Sequence, residues 1–305
     1  MFNMGNTKLD YSMKNQFARI ILIISALIFC AGIMMWYENI HKNPSNVFWA
    51  MVDNNLSTFG VTKTIEQNDN EGLGFKRLTR ISFAPDFIIE SQTNLRQKVR
   101  NEKTIITTRS ITKNNQTVST YSRVQTTDKT DTKRFETILG KWFNDEISKD
   151  QVAETVGLVP SYVAGSPPFL NLEYKTRQKL IDQIRENEVY DVNFSGVKRS
   201  ELFGKDTYEY EVKVNVERYL VMLGELSESS GIDISPVNID DYKSNPDLQL
   251  LMTVSVDGRQ LLKVVDKQTE REELYSGYGA ISRVDLPAPD ITKKELEKIF
   301  KKISP

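Results

Sequence analysis

Residues 207–217 read TYEYEVKVNVE, and their alternation decides the fold. Tyr208, Tyr210, Val212, Val214 and Val216 point one way. Thr207, Glu209, Glu211, Lys213, Asn215 and Glu217 point the other. Successive side chains of an extended chain lie on opposite faces, so this strict period of two predicts a strand with one buried and one wet face. The apolar stripe is also the candidate binding site. Beneath a gap it would line a lipid cavity, which must be apolar and about a few hundred Å³ in volume. Packed under helices it is ordinary core. Alternation is the same in both cases.

Downstream, Tyr219 to Leu226 begins a helix that runs out near Ser229-Ser230-Gly231. Strand 248–256 (LQLLMTVSV) leads into an Asp257-Gly258 turn, a favoured hairpin signal. Strands 260–266, 271–276 and 281–286 complete a meander. Thr292 and Glu295 make a capping box, with Ile291 stapled onto Leu296. Leu296, Ile299, Phe300 and Ile303 give the last helix its apolar stripe.

Upstream, residues 60–67, 73–83, 86–92, 103–112 and 117–127 are rich in β-branched side chains and predict strands. The turns Asn68 to Gly72 and Lys113 to Gln116 are too short for a helical crossover, so these strands are antiparallel. Ser45 or Asn46 caps a helix over 46–56, whose Phe48, Val52 and Leu56 share a face. A less regular segment over about 136–188 is broken by Gly165-Ser166-Pro167-Pro168. Within it Leu172 to Asn187 is helical, with Leu180, Ile181 and Ile184 on one side. The segment reads as a helical insert over the sheet.

Ile20 to Tyr37 reads IILIISALIFCAGIMMWY, 18 residues without a charge. At ~1.5 Å per residue it spans about 27 Å, close to the ~30 Å hydrocarbon core. Lys8, Lys14 and Arg19 precede it with only Asp10 opposing, which predicts a cytoplasmic tail over 1–19 and an extracytoplasmic remainder. Trp36 and Tyr37 suit an interfacial belt. The rival reading is a cleaved secretory signal, whose apolar region is usually ~7–15 residues. This run is longer, and Phe29-Cys30-Ala31 is a poor cleavage site. Ile28 and Phe29 stand where a lipobox would have small residues. The expected organisation is therefore a signal anchor over 20–37, a polar linker over 38–45, a sheet domain over 46–290 and a C-terminal helix over 291–305.

The 40 basic and 41 acidic residues leave a net charge of −1, which argues against a general nucleic-acid binder. Cys30 is the single cysteine, so no intrachain disulfide forms and the outer domain holds by core packing. His41 is the single histidine, far short of a metal site or a serine–histidine–acid triad. No Gly-x-Ser-x-Gly elbow exists. Gly72-Leu-Gly74 and Gly277-Tyr-Gly279 do not match a phosphate loop. Asp240-Asp241 reads as a solvated loop. The expectation is a non-catalytic protein without cofactor or metal. Arg96, Lys98, Arg100, Lys103, Arg109 and Lys113 form a basic run, with two readings. One is contact with anionic lipid head groups or a wall polymer. The other, which we favour from sequence, is a solvated face whose charge protects a sheet edge. Residues 225–247 are conversely acidic.

One resemblance rests on the end of the chain. Val254-Ser-Val-Asp-Gly-Arg-Gln-Leu-Leu262, Glu273-Leu-Tyr-Ser-Gly-Tyr-Gly279 and Val284-Asp-Leu-Pro-Ala-Pro289 resemble the ending of the LolA/LppX-type lipoprotein carriers of bacterial envelopes. The resemblance implies an α+β fold: a curved antiparallel β half-barrel with helices packed on its concave face, here preceded by one transmembrane helix. It also implies binding of a lipid, a lipidated partner or another hydrophobic ligand between sheet and helices; the alternating stripe Tyr208, Tyr210, Val212, Val214 and Val216 supplies the candidate cavity lining. Burial of acyl chain would contribute ~0.8 kcal/mol per methylene. The alternative is a structural or protein-interaction ectodomain whose concavity is filled by its own side chains.

Overall fold

The computed structural model describes residues 6–68, 72–99, 102–113, 116–126, 133, 135–144, 165–230 and 246–303. The chain divides into two compact units between Val47 and Phe48.

In the first unit, helix α1 spans Asn6–Trp36 and runs into one π-helical turn, Tyr37–His41. Residues 21–41 are long and apolar enough to cross a membrane, as an anchor or a signal sequence. Leu22, Ile28, Phe29 and Met34 are each about 70 % exposed, so no protein core holds them. At the end of the helix Tyr37 and His41 stack at 5.0 Å, and the Lys42 ammonium lies 4.7 Å over the Tyr37 ring. The expected linker is thus a helical turn, and helix α2 (Pro44–Asn55) begins inside it. Asn43 caps α2: its Oδ1 accepts from the amides of Ser45 and Asn46 at 3.0 and 3.4 Å. Ser45 and Asn46 do not cap it, because Pro44 has no N–H to orphan and takes the first helical position.

In the second unit, strands β1 (Gly60–Asn68), β2 (Gly74–Ser82), β3 (Ile88–Val99), β4 (Glu102–Lys113), β5 (Gln116–Gln125) and β6 (Trp142–Asn144) come first. Helix α3 (Tyr174–Glu186) follows, then β7 (Tyr190–Val192), β8 (Lys198–Leu202) and β9 (Lys205–Val214). Helix α4 (Val216–Ser230), β10 (Leu248–Ser255), β11 (Leu261–Asp266), β12 (Glu272–Ser276) and helix α5 (Lys293–Ile303) complete the order. The strands make one open sheet in the order β6-β5-β4-β3-β2-β1-β12-β11-β10-β9-β7, with β8 also on β9. Every pairing between these strands is antiparallel, as the short connections within β1–β5 and β10–β12 require there. The class is α+β.

Three expectations need correction. Residues 281–286 are not a strand. The edge of β12 that they would join is taken by β1, with Lys63 opposite Tyr275. The chain instead turns at Gly277 and Gly279, both at positive φ, and passes so close that a Cβ on Gly60 would collide with the Ala280 carbonyl oxygen. From there it crosses the sheet as a strap. Ser282 Oγ bonds Glu90, Asp285 comes 3.8 Å from Lys113, and Ile291 bridges Phe143 on edge strand β6.

The Asp257-Gly258 turn is also longer than a two-residue hairpin. The left-handed residue is Arg259 (φ 48), and Asn54 donates to the carbonyls of Gly258 and Arg259 at 3.4 and 2.9 Å. The described part of 136–188 holds strand β6, an extended run from Pro167 and helix α3, which falls within the expected 172–187. Residues 145–164 lie outside the described residues, as do Asp233, Asp240 and Asp241 of the acidic stretch. Lastly, β7 and β8 were not expected; three and five residues are too short for periodicity to register. The capping box is present: the Thr292 amide donates to Glu295 at 2.8 Å, and the Glu295 amide to Thr292 Oγ1 at 3.3 Å.

The core centres on α2. Phe48, Met51, Val52 and Leu56 are fully buried. A second cluster joins Val124, Phe135, Ile138, Phe143 and Leu296, fastening α5 to the β5–β6 end. Phe48→Ala is expected to lower unfolding stability by about 3–5 kcal/mol, read from the denaturant midpoint of the full chain. Trp49→Ala, which removes only a half-buried ring 4.4 Å from the Arg185 guanidinium, should cost about 1 kcal/mol. Equal losses would overturn this placement of the core.

Candidate functional site

Four of the five stripe residues lie together on β9, and protein side chains occupy the space above them. Tyr210 is fully buried; its ring centre lies 5.4 Å from Phe48, 6.1 Å from Tyr208 and 6.4 Å from Phe194. Val214 packs under Gly165: a Cβ there would come 3.3 Å from both Val214 methyls and 3.0 Å from Leu248 Cδ1. Val212 sits in register between Leu250 and Val192 and is 1 % exposed. Val216 is not on the strand. Asn215 Oδ1 accepts from the Arg218 amide at 3.0 Å and caps α4, so Val216 is the first helical residue and half-buried. The valine period runs past the strand end by coincidence of composition. Thr207, expected to be wet, is buried where β8 covers it, its Oγ1 2.8 Å from that of Ser200.

The aromatic layer continues beyond the stripe. Tyr190 lies 6.3 Å from Phe48 and 6.4 Å from Tyr219, whose hydroxyl donates to the Ser166 carbonyl at 3.0 Å. Burial pushes the hydroxyls of Tyr190, Tyr210, Tyr219 and Tyr278 above the usual tyrosine range.

The face that carries this stripe changes chemistry across the sheet. One register row runs Tyr210, Met252, Val264, Glu273, Ile65, Arg77, Thr93, Thr108, Tyr121. The next runs Tyr275, Lys63, Thr79, Ser91, Ser110, Ser119, Phe143. The β9–β11 part is apolar and the β2–β5 part is lined by hydroxyls. Those hydroxyls satisfy each other locally: Thr79 with Ser91 at 3.2 Å, Thr112 with Thr117 at 2.8 Å, and Thr93 accepting from Arg77 Nε at 3.1 Å.

Between the two halves lies an ion pair that sequence reading missed. Lys63 Nζ is 3.6 Å from Glu273 Oε1, with side chains 7 % and 0 % exposed, and the Tyr275 hydroxyl donates to Glu273 Oε2. Burial lowers the Lys63 pKa, and Glu273 opposes that shift. The signal was present: Lys63 is in phase with apolar Val61 and Ile65, and Glu273 with Tyr275, so both charges point into the core.

Among the described residues no group of His, Cys, Asp and Glu is placed to hold a metal. A hollow of about 390 Å³ opens at the far end of the sheet, lined by Asn144, Pro289, Asp290, Ile291, Thr292, Lys294 and Glu295, and none of the stripe residues borders it. No family model matches the chain, and no curated protein matches it.

Two outcomes follow from the buried groups. Lys63→Ala strands the Glu273 charge and should cost about 3–5 kcal/mol, whereas Lys63→Met with Glu273→Gln, which removes both charges and keeps an acceptor for the Tyr275 hydroxyl, should cost clearly less. A double variant as damaged as the single one would refute the pairing. Separately, the unfolded chain releases tyrosine protons near the ordinary tyrosine value of 10.0 while the folded chain retains them. The unfolded state then binds fewer protons, so the tyrosine contribution to stability is intact below that pH and declines above it. Lys63 acts in the opposite sense between its lowered pKa and 10.5, but it is one group against four tyrosines. Denaturant midpoints should therefore be level to about pH 9 and fall by pH 11; a rise would contradict the burial of these hydroxyls.

Proposed function

We propose that this chain is a membrane-anchored, extracytoplasmic, non-catalytic interaction module. Residues 20–37 tether it, with Lys8, Lys14 and Arg19 on the cytoplasmic side. Its sheet is a curved half-barrel with helices on the concave face, and it works through surface contacts with another envelope component. The observation that carries this reading is the packing over β9: Phe48, Phe194 and the Gly165 backbone occupy the space that an acyl chain would need. The carrier reading keeps the support of the 254–289 resemblance. On that reading α2 and the Gly165 segment would have to swing away to admit a ligand, uncovering Phe48 and Tyr210 together.

Native mass spectrometry of the full chain, released from membranes in mild detergent, tests this. Lipid around the tether is common to all variants, so only differences count. The native chain and Val212→Trp should carry the same lipid, while Val212→Trp loses about 1–3 kcal/mol of stability from overpacking. A lipid held one-to-one by the native chain and lost from a folded Val212→Trp would replace this function with lipid carriage.

A further inference from the structure

The sheet's opposite face is strongly basic at the β2–β5 end. Register places Lys76, Arg96, Lys98, Lys103 and Arg123 on this face: Lys76 opposite Asn94, Asn94 opposite Thr107, Thr107 opposite Arg123, and Lys98 directly opposite Lys103. All five are exposed. Among the described residues, Glu66 lies 2.9 Å from Lys76. Further along the same face Arg109 lies 3.3 Å from Glu90 and Lys113 3.0 Å from Asp86. Charge is therefore segregated in a chain whose total is −1.

We propose that this face docks flat on the anionic surface of the bilayer that the tether crosses. The inference rests on the reading of residues 20–37 as an anchor. Long flexible cations spread over adjacent strands suit a plane of phosphates better than a single small anion, which needs convergent donors. Backbone amides cannot supply them, because the sheet ladder uses them. Nucleic acid fits less well: the positions between the cations are Asn94, Ile105, Thr107 and Gln125, and Trp142, which register puts on this face, lies under the Arg109 guanidinium at 6.0 Å. The tether supplies the rest, since a domain held to a membrane meets its surface at high effective concentration, and several weak charge contacts then suffice to orient it. Such docking would leave the strap-free, helix-bearing face turned away from the lipid and open to a partner.

Energy transfer in vesicles tests the proposal with the full chain. Cys30→Ser removes the sole cysteine, and Asn94→Cys takes a donor dye in the middle of the basic face. The acceptor is a head-group-labelled lipid. Transfer should rise about twofold from phosphatidylcholine vesicles to vesicles with about 30 % phosphatidylglycerol. It should return to the neutral-lipid value in about 1 M salt, where screening acts within about 3 Å. Arg96→Glu, Lys103→Glu and Arg123→Glu together should abolish the rise, and the salt titration of the unreversed chain stands if that variant misfolds. Flotation reports the anchor separately. Flotation with both lipids but transfer blind to composition overturns the docking and spares the anchor. Flotation with anionic vesicles alone, reversed by salt, supports the docking and sinks the anchor. Failure to float with either, or binding of soluble polyphosphate without any response to phosphatidylglycerol, overturns the docking.

Discussion

Burial of residues 48–56 holds the sheet domain together. Phe48, Met51, Val52 and Leu56 fill the core from one side of the helix. The polar residues among them tie down segments remote in sequence. Asp53 accepts from Arg177 Nε at 2.5 Å and from Gln178 at 3.0 Å on α3. Asn54 reaches the β10–β11 turn, and Asn55 reaches the Pro167 carbonyl and the Tyr278 hydroxyl. The backbone carbonyls of Asn55 and Leu56 then receive the amides of Leu170 and Leu172. Hydrophobic area drives the helix down, and hydrogen bonds that would be costly to leave unmade set its position. The same placement closes the space over the β9 stripe, so the packing that makes the fold also argues for surface contact as the mode of action.

The sheet serves two purposes with its two halves. Around β9–β12 it carries a layer of aromatic and aliphatic side chains. Around β2–β5 the same face is lined by threonine and serine, and the reverse face carries the strap and the basic cluster. The strap matters beyond its length. By pairing Ile291 with Phe143 it covers part of edge strand β6, and an uncovered edge invites pairing with another chain. Ion pairs such as Lys113 with Asp86 fasten the outer face, although exposed pairs contribute little each.

Where local rules and long-range packing agree, sequence reading reached the structure. Alternation placed β9 up to Val214, four-residue spacing placed the buried side of α2, and Thr292-x-x-Glu295 placed the start of α5. It misplaced elements where two local signals compete. Asn215 ends a strand by capping a helix, and the valine period at 212, 214 and 216 hid that. Residues 281–286 have strand-like composition but no edge to join. Of the candidate site, the stripe was legible as a buried face. The Lys63–Glu273 pair was legible only to a reader who placed both charges in phase with their apolar neighbours.

The amino-acid sequence by itself determined the apolar segment near the N-terminus, the antiparallel class and the absence of an evident catalytic motif, because each depends on residues close together in the chain. Tertiary structure alone decided that β1 closes on β12, that the chain end becomes a strap, and that Phe48 fills the space over Tyr210. Those are contacts between segments far apart in sequence, and nothing in local periodicity records which edge is already taken or which cavity is already full.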